Sequence, residues 1–164
     1  MTNAQNQNIP KLRLAYLEAL HDYKYASDTY DKFLKIENPN PQILAYRGAL
    51  EAILTKTTWN PFKKFTYLKK SRSSLNQAVK EDPEDIEIRF IRMAVQYEIP
   101  SYLGFSQEVE SDKEFIISNF KTFKPELYHE KILEEIIGFI DKCKYFSEEQ
   151  TKLFKGILST KSKS

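Results

Sequence analysis

An all-α fold is what this sequence predicts, and three observations carry the prediction. Helix-breaking residues are scarce, with four glycines and seven prolines among 164 residues, so long segments run uninterrupted. Apolar residues recur at helical spacing, while no alternating stretch is long enough to support a sheet. Pro41, Pro83 and Pro125 fall 42 residues apart, each ahead of a strongly helical segment: PQILAYRGALEAI, PEDIEIRFIRMAV and PELYHEKILEEII. In these segments Arg47, Arg89 and Lys131 align, as do Ile53, Val95 and Ile137. A fixed period in this range marks stacked helical pairs. The expected architecture is about eight helices in antiparallel hairpins stacked as a short α-solenoid; the alternative is a compact irregular helical bundle.

Residues 1–10, MTNAQNQNIP, are polar and expected to be disordered. A single helical-repeat domain then spans residues 11–158. Leu12, Ala15, Leu17 and Leu20 make residues 11–21 a first short helix. Tyr23, Ala26, Tyr30, Phe33 and Leu34 share one side of a second, residues 22–36. The segment ENPNP ends it, because a residue before proline avoids helical geometry. In the third, from Pro41 to about residue 56, Tyr46, Gly48, Ala49 and Ala52 permit close helix approach. Asn60-Pro61 has the cap-then-proline order and opens a fourth through residue 80, with Phe62, Phe65, Leu68, Leu75 and Ala78 expected inward.

Asp82-Pro83 reads as the next cap and start, with Glu84, Asp85 and Glu87 on the positive end of the helix dipole. Ile88, Ile91 and Val95, widened by Phe90 and Ala94, form the apolar stripe of this fifth helix, which ends before Pro100. A turn around Gly104 leads to a sixth from Ser106, carrying Val109, Phe115, Ile116 and Phe120. The seventh, residues 125–144, is the most apolar, with Leu127, Ile132, Leu133, Ile136, Ile137 and Ile140. Ser147-Glu148-Glu149-Gln150 fits a capping box for a closing eighth. The basic tail, residues 159–164, is expected to be disordered.

Charge is segregated. Residues 56–80 carry seven basic side chains and no acidic one, residues 81–150 carry eight basic and seventeen acidic, and the net charge of +2 hides both. Cys143 is the one cysteine, so no intramolecular disulfide forms. No apolar run reaches the length of a membrane span. The first ten residues lack the plan of a secretion signal, so the expected location is cytoplasmic as written, and periplasmic if a signal segment has been removed.

The spacing of Leu75, Ala78 and Pro83, with Ser71 at a small-residue position, resembles the second half of a tetratricopeptide repeat. Residues 45–60 depart from the first half, so the likeness is to a degenerate, tetratricopeptide-like domain. A broader likeness covers residues 12–158. The order AYRGA, NPFKK, LNQAVKEDPEDIEIRFIR, Pro100, Leu103-Gly104-Phe105 and Asp112-Lys113 resembles small uncharacterised helical proteins of Bacteroidetes. That resemblance marks Arg47, Asn60, Pro61, Phe62, Glu87, Arg89, Arg92, Gln96 and Pro100 as characteristic positions and implies no activity.

Stacked hairpins expose a concave surface lined by the first helix of each pair. Here it would draw on Tyr46, Arg47, Arg89, Arg92, Gln96 and Lys131. Two arginines at one repeat position can grip a carboxylate or phosphate; alternatively they pair with Glu51, Glu87 or a helix C-terminus. Trp59 is either a binding hot spot or a staple packed on the following helix. Lys63, Lys64, Lys69, Lys70 and Arg72 form a basic patch suited to nucleic-acid phosphates, an anionic membrane or an acidic protein, or merely a solvated face. Only His21 and His129 are present, without metal-ligand spacing, and neither a glycine-rich phosphate loop nor a nucleophile motif occurs. The expected function is therefore non-enzymatic protein or peptide binding, with no cofactor and no metal. Anion or nucleic-acid binding through residues 56–80, and salt-dependent self-assembly of the +7 segment on the −9 segment of a second copy, are the alternatives.

Overall fold

A computed structural model describes residues 8–160. Among them the chain forms eight α-helices and no strand: α1 (Ile9–His21), α2 (Ala26–Leu34), α3 (Pro41–Leu54), α4 (Pro61–Glu81), α5 (Ile86–Glu98), α6 (Val109–Asn119), α7 (Glu130–Lys142) and α8 (Glu148–Leu158). The fold is all-α. Of the segment expected to be disordered at the N-terminus, Ile9 and Pro10 belong to α1, and residues 1–7 lie outside the described residues. Residues 161–164 of the basic tail lie outside them too.

Local chemistry places the helix starts. The Asn40 side chain accepts from the Ile43 amide, and Asn60 from the amides of Phe62 and Lys63, each directly before a proline whose missing N–H costs nothing there. Ser147 and Gln150 form the capping box of α8. Three expected starts are corrected. Asp82 ends α4 instead of capping α5; Pro83 sits in the turn that follows, and Asp85 caps α5 by accepting from the amides of Glu87 and Ile88. Pro125 opens a 3₁₀ turn, Pro125–Leu127, and α7 begins only at Glu130, capped by His129. Burial of Phe123, Pro125 and Tyr128 prevails over an early helix there, with the Phe123 and Tyr128 rings stacked at 4.7 Å. The sixth helix likewise begins at Val109, not Ser106. Pro41, Pro83 and Pro125 thus occupy three different settings, and the 42-residue period marks no set of equivalent helix starts.

Sequential helices pair (α1 with α2, α3 with α4, α5 with α6, α7 with α8), and α3 lies at the centre against α1, α2, α4 and α5. Gly48 makes the tightest of these approaches possible: a Cβ there would stand 2.7 Å from Cγ of Leu75 and 3.1 Å from the Ser71 carbonyl oxygen. α1 also packs on α7. In a linear stack each pair touches only its neighbours, so this contact has the character of the bundle alternative. One core gathers Phe33, Ile43, Leu50, Leu75 and Ile88 around α3. The other gathers Met93, Ile116, Phe120, Ile140 and Phe154, with the Phe120 and Phe154 rings 4.0 Å apart.

Three buried carboxylates tie these elements together. Glu87 accepts from Arg13 Nε (2.7 Å) and Nη2 (2.6 Å), Gln42 (2.9 Å) and the Tyr46 hydroxyl (2.7 Å), joining α1, α3 and α5. Asp112, fully buried, accepts from Arg92 Nε (2.7 Å) and Nη2 (2.6 Å) and from Arg89 Nη1 (3.0 Å), joining α5 to α6. Glu51 accepts from Tyr30 (2.9 Å) and Ser74 (2.8 Å), joining α2, α3 and α4.

Burial lifts the Glu51 carboxyl above its ordinary range, and the bonds from Ser74 and Tyr30 offset this only in part. The folded chain then takes up this proton at higher pH than the unfolded chain. Stability therefore rises as pH falls from the raised value to the ordinary one, and the charged form is a standing cost above that window. Glu51→Gln, which still accepts from Tyr30, is expected to exceed the parent in stability at neutral pH and to lose this acid-side gain. Asp85, raised by burial in the same direction, keeps its share in both proteins. Urea unfolding from about pH 8 to about pH 5 checks this; parallel pH curves for the two proteins refute it.

Candidate functional site

α5 presents three faces, and they decide where binding can occur. Glu87, Ile91 and Val95 turn inward, where Ile91 and Val95 join the core around α3 and all three back the inner wall of a cleft. Arg89, Arg92 and Gln96 turn to α4 and α6. Ile86, Phe90, Ala94 and Glu98, spaced four apart, face that cleft, about 390 Å³ in volume and bounded by α1, α3, α5 and α7. These are the first helices of the four pairs. Small side chains at Ala49, Ala52 and Ala94 leave the space open, and Tyr16, Leu20, Phe90, Ile136 and Phe139 supply its half-buried apolar walls. The walls are mutually braced: Phe90 meets Phe139 edge-on at 5.3 Å, and Tyr16 is tilted on Tyr46 at 5.1 Å.

Charges of both signs surround the mouth. His21 Nε2 lies 3.0 Å from Oε2 of Glu135, Lys142 donates to Glu98 at 2.6 Å, and Lys56 stands exposed. At the inner wall is Glu87, holding Arg13, whose guanidinium lies 4.2 Å from the Tyr128 ring centre. Burial opposes the charge on Arg13, but its hydrogen bonds to Glu87 and that carboxylate's charge outweigh the loss and hold it firmly protonated. Burial, with the Glu135 and Glu98 carboxylates behind it, pushes the Tyr16 hydroxyl far above its usual pKa. Tyr16 therefore stays a neutral hydrogen-bond donor. Among the described residues no His, Cys, Asp and Glu cluster is arranged to hold a metal ion, and no helix is long and apolar enough to cross a membrane.

The expected binding residues disperse over several surfaces. Tyr46 lines the cleft, with its hydroxyl on Glu87. Arg47 points the other way, donating to the Phe33 carbonyl near the C-terminal end of α2, as the helix-terminus alternative anticipated. Arg89 donates to the Pro83 carbonyl and Asp112, and Arg92 to Asp112 and Asn76. Gln96 donates to Glu108. Arg89, Arg92 and Gln96 thus donate to acidic or carbonyl groups of the chain itself and stand apart from the cleft. Trp59 is 96% exposed, so it is not a staple, and Phe62, expected inward, is 83% exposed. Lys131 is exposed on α7. In the basic patch, Arg72 is engaged by Gln107 and Glu108, whereas Lys63, Lys64, Lys69 and Lys70 form no ion pair among the described residues. The cleft residues Phe90, Ala94, Glu98, Glu135 and Phe139 were not anticipated as a site; the four-residue stripe 86, 90, 94, 98 is the signal that points to them.

Compared with protein-family models, with curated proteins and with solved structures, the chain finds no match in any of the three.

Proposed function

We propose that this chain is a non-enzymatic binding module that takes the apolar side chains of a partner peptide into the cleft between α1, α3, α5 and α7. The observation that carries the reading is the cleft itself. It is large enough for several apolar side chains, it is walled by half-buried aromatic and aliphatic groups, and its volume falls in the range of ligand sites. Its mouth suits a peptide, since Lys56 stands exposed and the solvent-facing Lys142–Glu98 and His21–Glu135 pairs, weak as surface pairs are, can exchange partners with flanking charges of either sign. The Tyr16 hydroxyl adds a donor for a backbone carbonyl.

Selection from a random-peptide display library tests it. The expected outcome is enrichment of sequences with apolar residues three or four apart. Ala94→Trp, which fills the cleft from α5, is expected to weaken the selected peptides at least ~10-fold, the loss of about one well-placed apolar anchor. Failure to enrich any sequence, or equal binding by the Ala94→Trp variant with its melting temperature unchanged, overturns the proposal.

A further inference from the structure

We infer that the N-terminal half of α4, with Trp59 ahead of it, is a surface that rests on anionic lipid headgroups. The first buried residue of α4 is Ser71, so residues 61–70 extend without a single buried side chain. Trp59 is 96%, Phe62 83% and Tyr102 85% exposed. The Phe65 ring meets Phe105 edge-on at 6.1 Å, which brings the segment that follows the Ser101–Leu103 turn to this half of the helix.

Cations share the surface with the rings. The ammonium of Lys64 lies 5.8 Å from the Trp59 ring centre, and that of Lys69 lies 4.8 Å from Phe65. Lys63 and Lys70 stand exposed on the same half of the helix, and residues 56–80 contain no carboxylate. Large rings held in water are unfavourable unless a partner covers them. The combination here matches the interface of a bilayer: Trp and Tyr settle at headgroup depth, lysine stems lie along the rings, and the ammonium groups meet anionic phosphates. Charge complementarity also sets the orientation, because residues 81–150, with seventeen acidic and eight basic side chains, would be repelled by the same surface. A nucleic acid is the weaker fit. Arg72, the arginine of this stretch and the side chain best built for bidentate contacts, is already held by Gln107 and Glu108.

Trp59 is the sole tryptophan, so its fluorescence reports on this surface alone. With vesicles of phosphatidylcholine and phosphatidylglycerol at low salt, a blue shift and co-sedimentation are expected, both reversed by added salt and both absent with phosphatidylcholine alone. Replacing Lys63 and Lys70 together by alanine is expected to weaken partitioning about 30-fold, about fivefold for each cation. Trp59→Ala with Phe62→Ser is expected to abolish it at an unchanged melting temperature. The inference is overturned by no partitioning at low salt, by equal partitioning into neutral vesicles, or by variants that partition like the parent. A mixed-sequence oligonucleotide that binds this face more tightly than the vesicles overturns it too, as does a salt-sensitive dimer that buries Trp59 without lipid.

Discussion

Glu87→Ala is expected to destabilise the chain by about 3–5 kcal/mol, the cost typical of removing one partner from a buried ion pair. The carboxylate and the Arg13 guanidinium are both almost wholly buried and meet through two parallel bonds of 2.7 and 2.6 Å. Without Glu87, Arg13 keeps only a 3.4 Å bond to the Leu127 carbonyl and the face of Tyr128. Gln42 retains Asp85, but the Tyr46 hydroxyl loses its acceptor. Single domains are stable by only about 5–15 kcal/mol, so such a loss is a large part of the whole. Replacing Arg13 by Met and Glu87 by Leu together should recover most of the loss, since matched apolar groups leave no stranded charge. Urea midpoints for the two single variants and the double variant measure this. A loss below about 1 kcal/mol in Glu87→Ala would show that the pair is not what holds α1 to α5.

Asp112→Ala is expected to cost a similar ~3–5 kcal/mol, through a different element. Two guanidinium groups converge on this carboxylate, Arg92 with two bonds and Arg89 with one. Removing it leaves two like charges facing each other, one of them buried. Arg92 keeps Asn76, and Arg89 keeps the Pro83 carbonyl and the Phe115 ring. Asp112→Asn, which retains an acceptor, should lose less. Hydrogen exchange separates this lock from the first: amides of α6 should gain exchange in Asp112→Ala, while those of α1 should respond to Glu87→Ala. Uniform exchange changes in both variants would mean that the two networks open as one unit.

Both locks were poorly legible before the fold was known. The resemblance marks Glu87, Arg89 and Arg92 as characteristic positions but says nothing of what each one pairs with. Nothing near Arg13 in sequence names Glu87 as its partner 74 residues on, and nothing near Arg92 names Asp112. The sequence therefore leaves two readings of the arginines, groove-lining and internal ties, and favours the ties without naming their partners. Trp59 and Phe62 failed for a related reason. Their apolar character predicts burial, but burial requires a facing element, and no side chain of residues 61–70 is buried.

What the sequence determined by itself is the set of helices and many of their ends. Spacing within one turn, Asn40 and Asn60 before prolines, and the Ser147–Gln150 box act over four residues or fewer, so they can be read in a line of text. The even period of the three prolines misled because a proline tolerates a turn as readily as a helix start, and the Asp85 cap and the burial of Pro125 decided between them. Only the tertiary structure decided which face of each helix looks at what. It turned Arg89, Arg92 and Gln96 inward to acidic partners, left an apolar cleft along α1, α3, α5 and α7, and set the lysines of α4 beside exposed rings. The reason is that a side chain's partner is fixed by packing across the whole chain, whereas its helix is fixed by its neighbours.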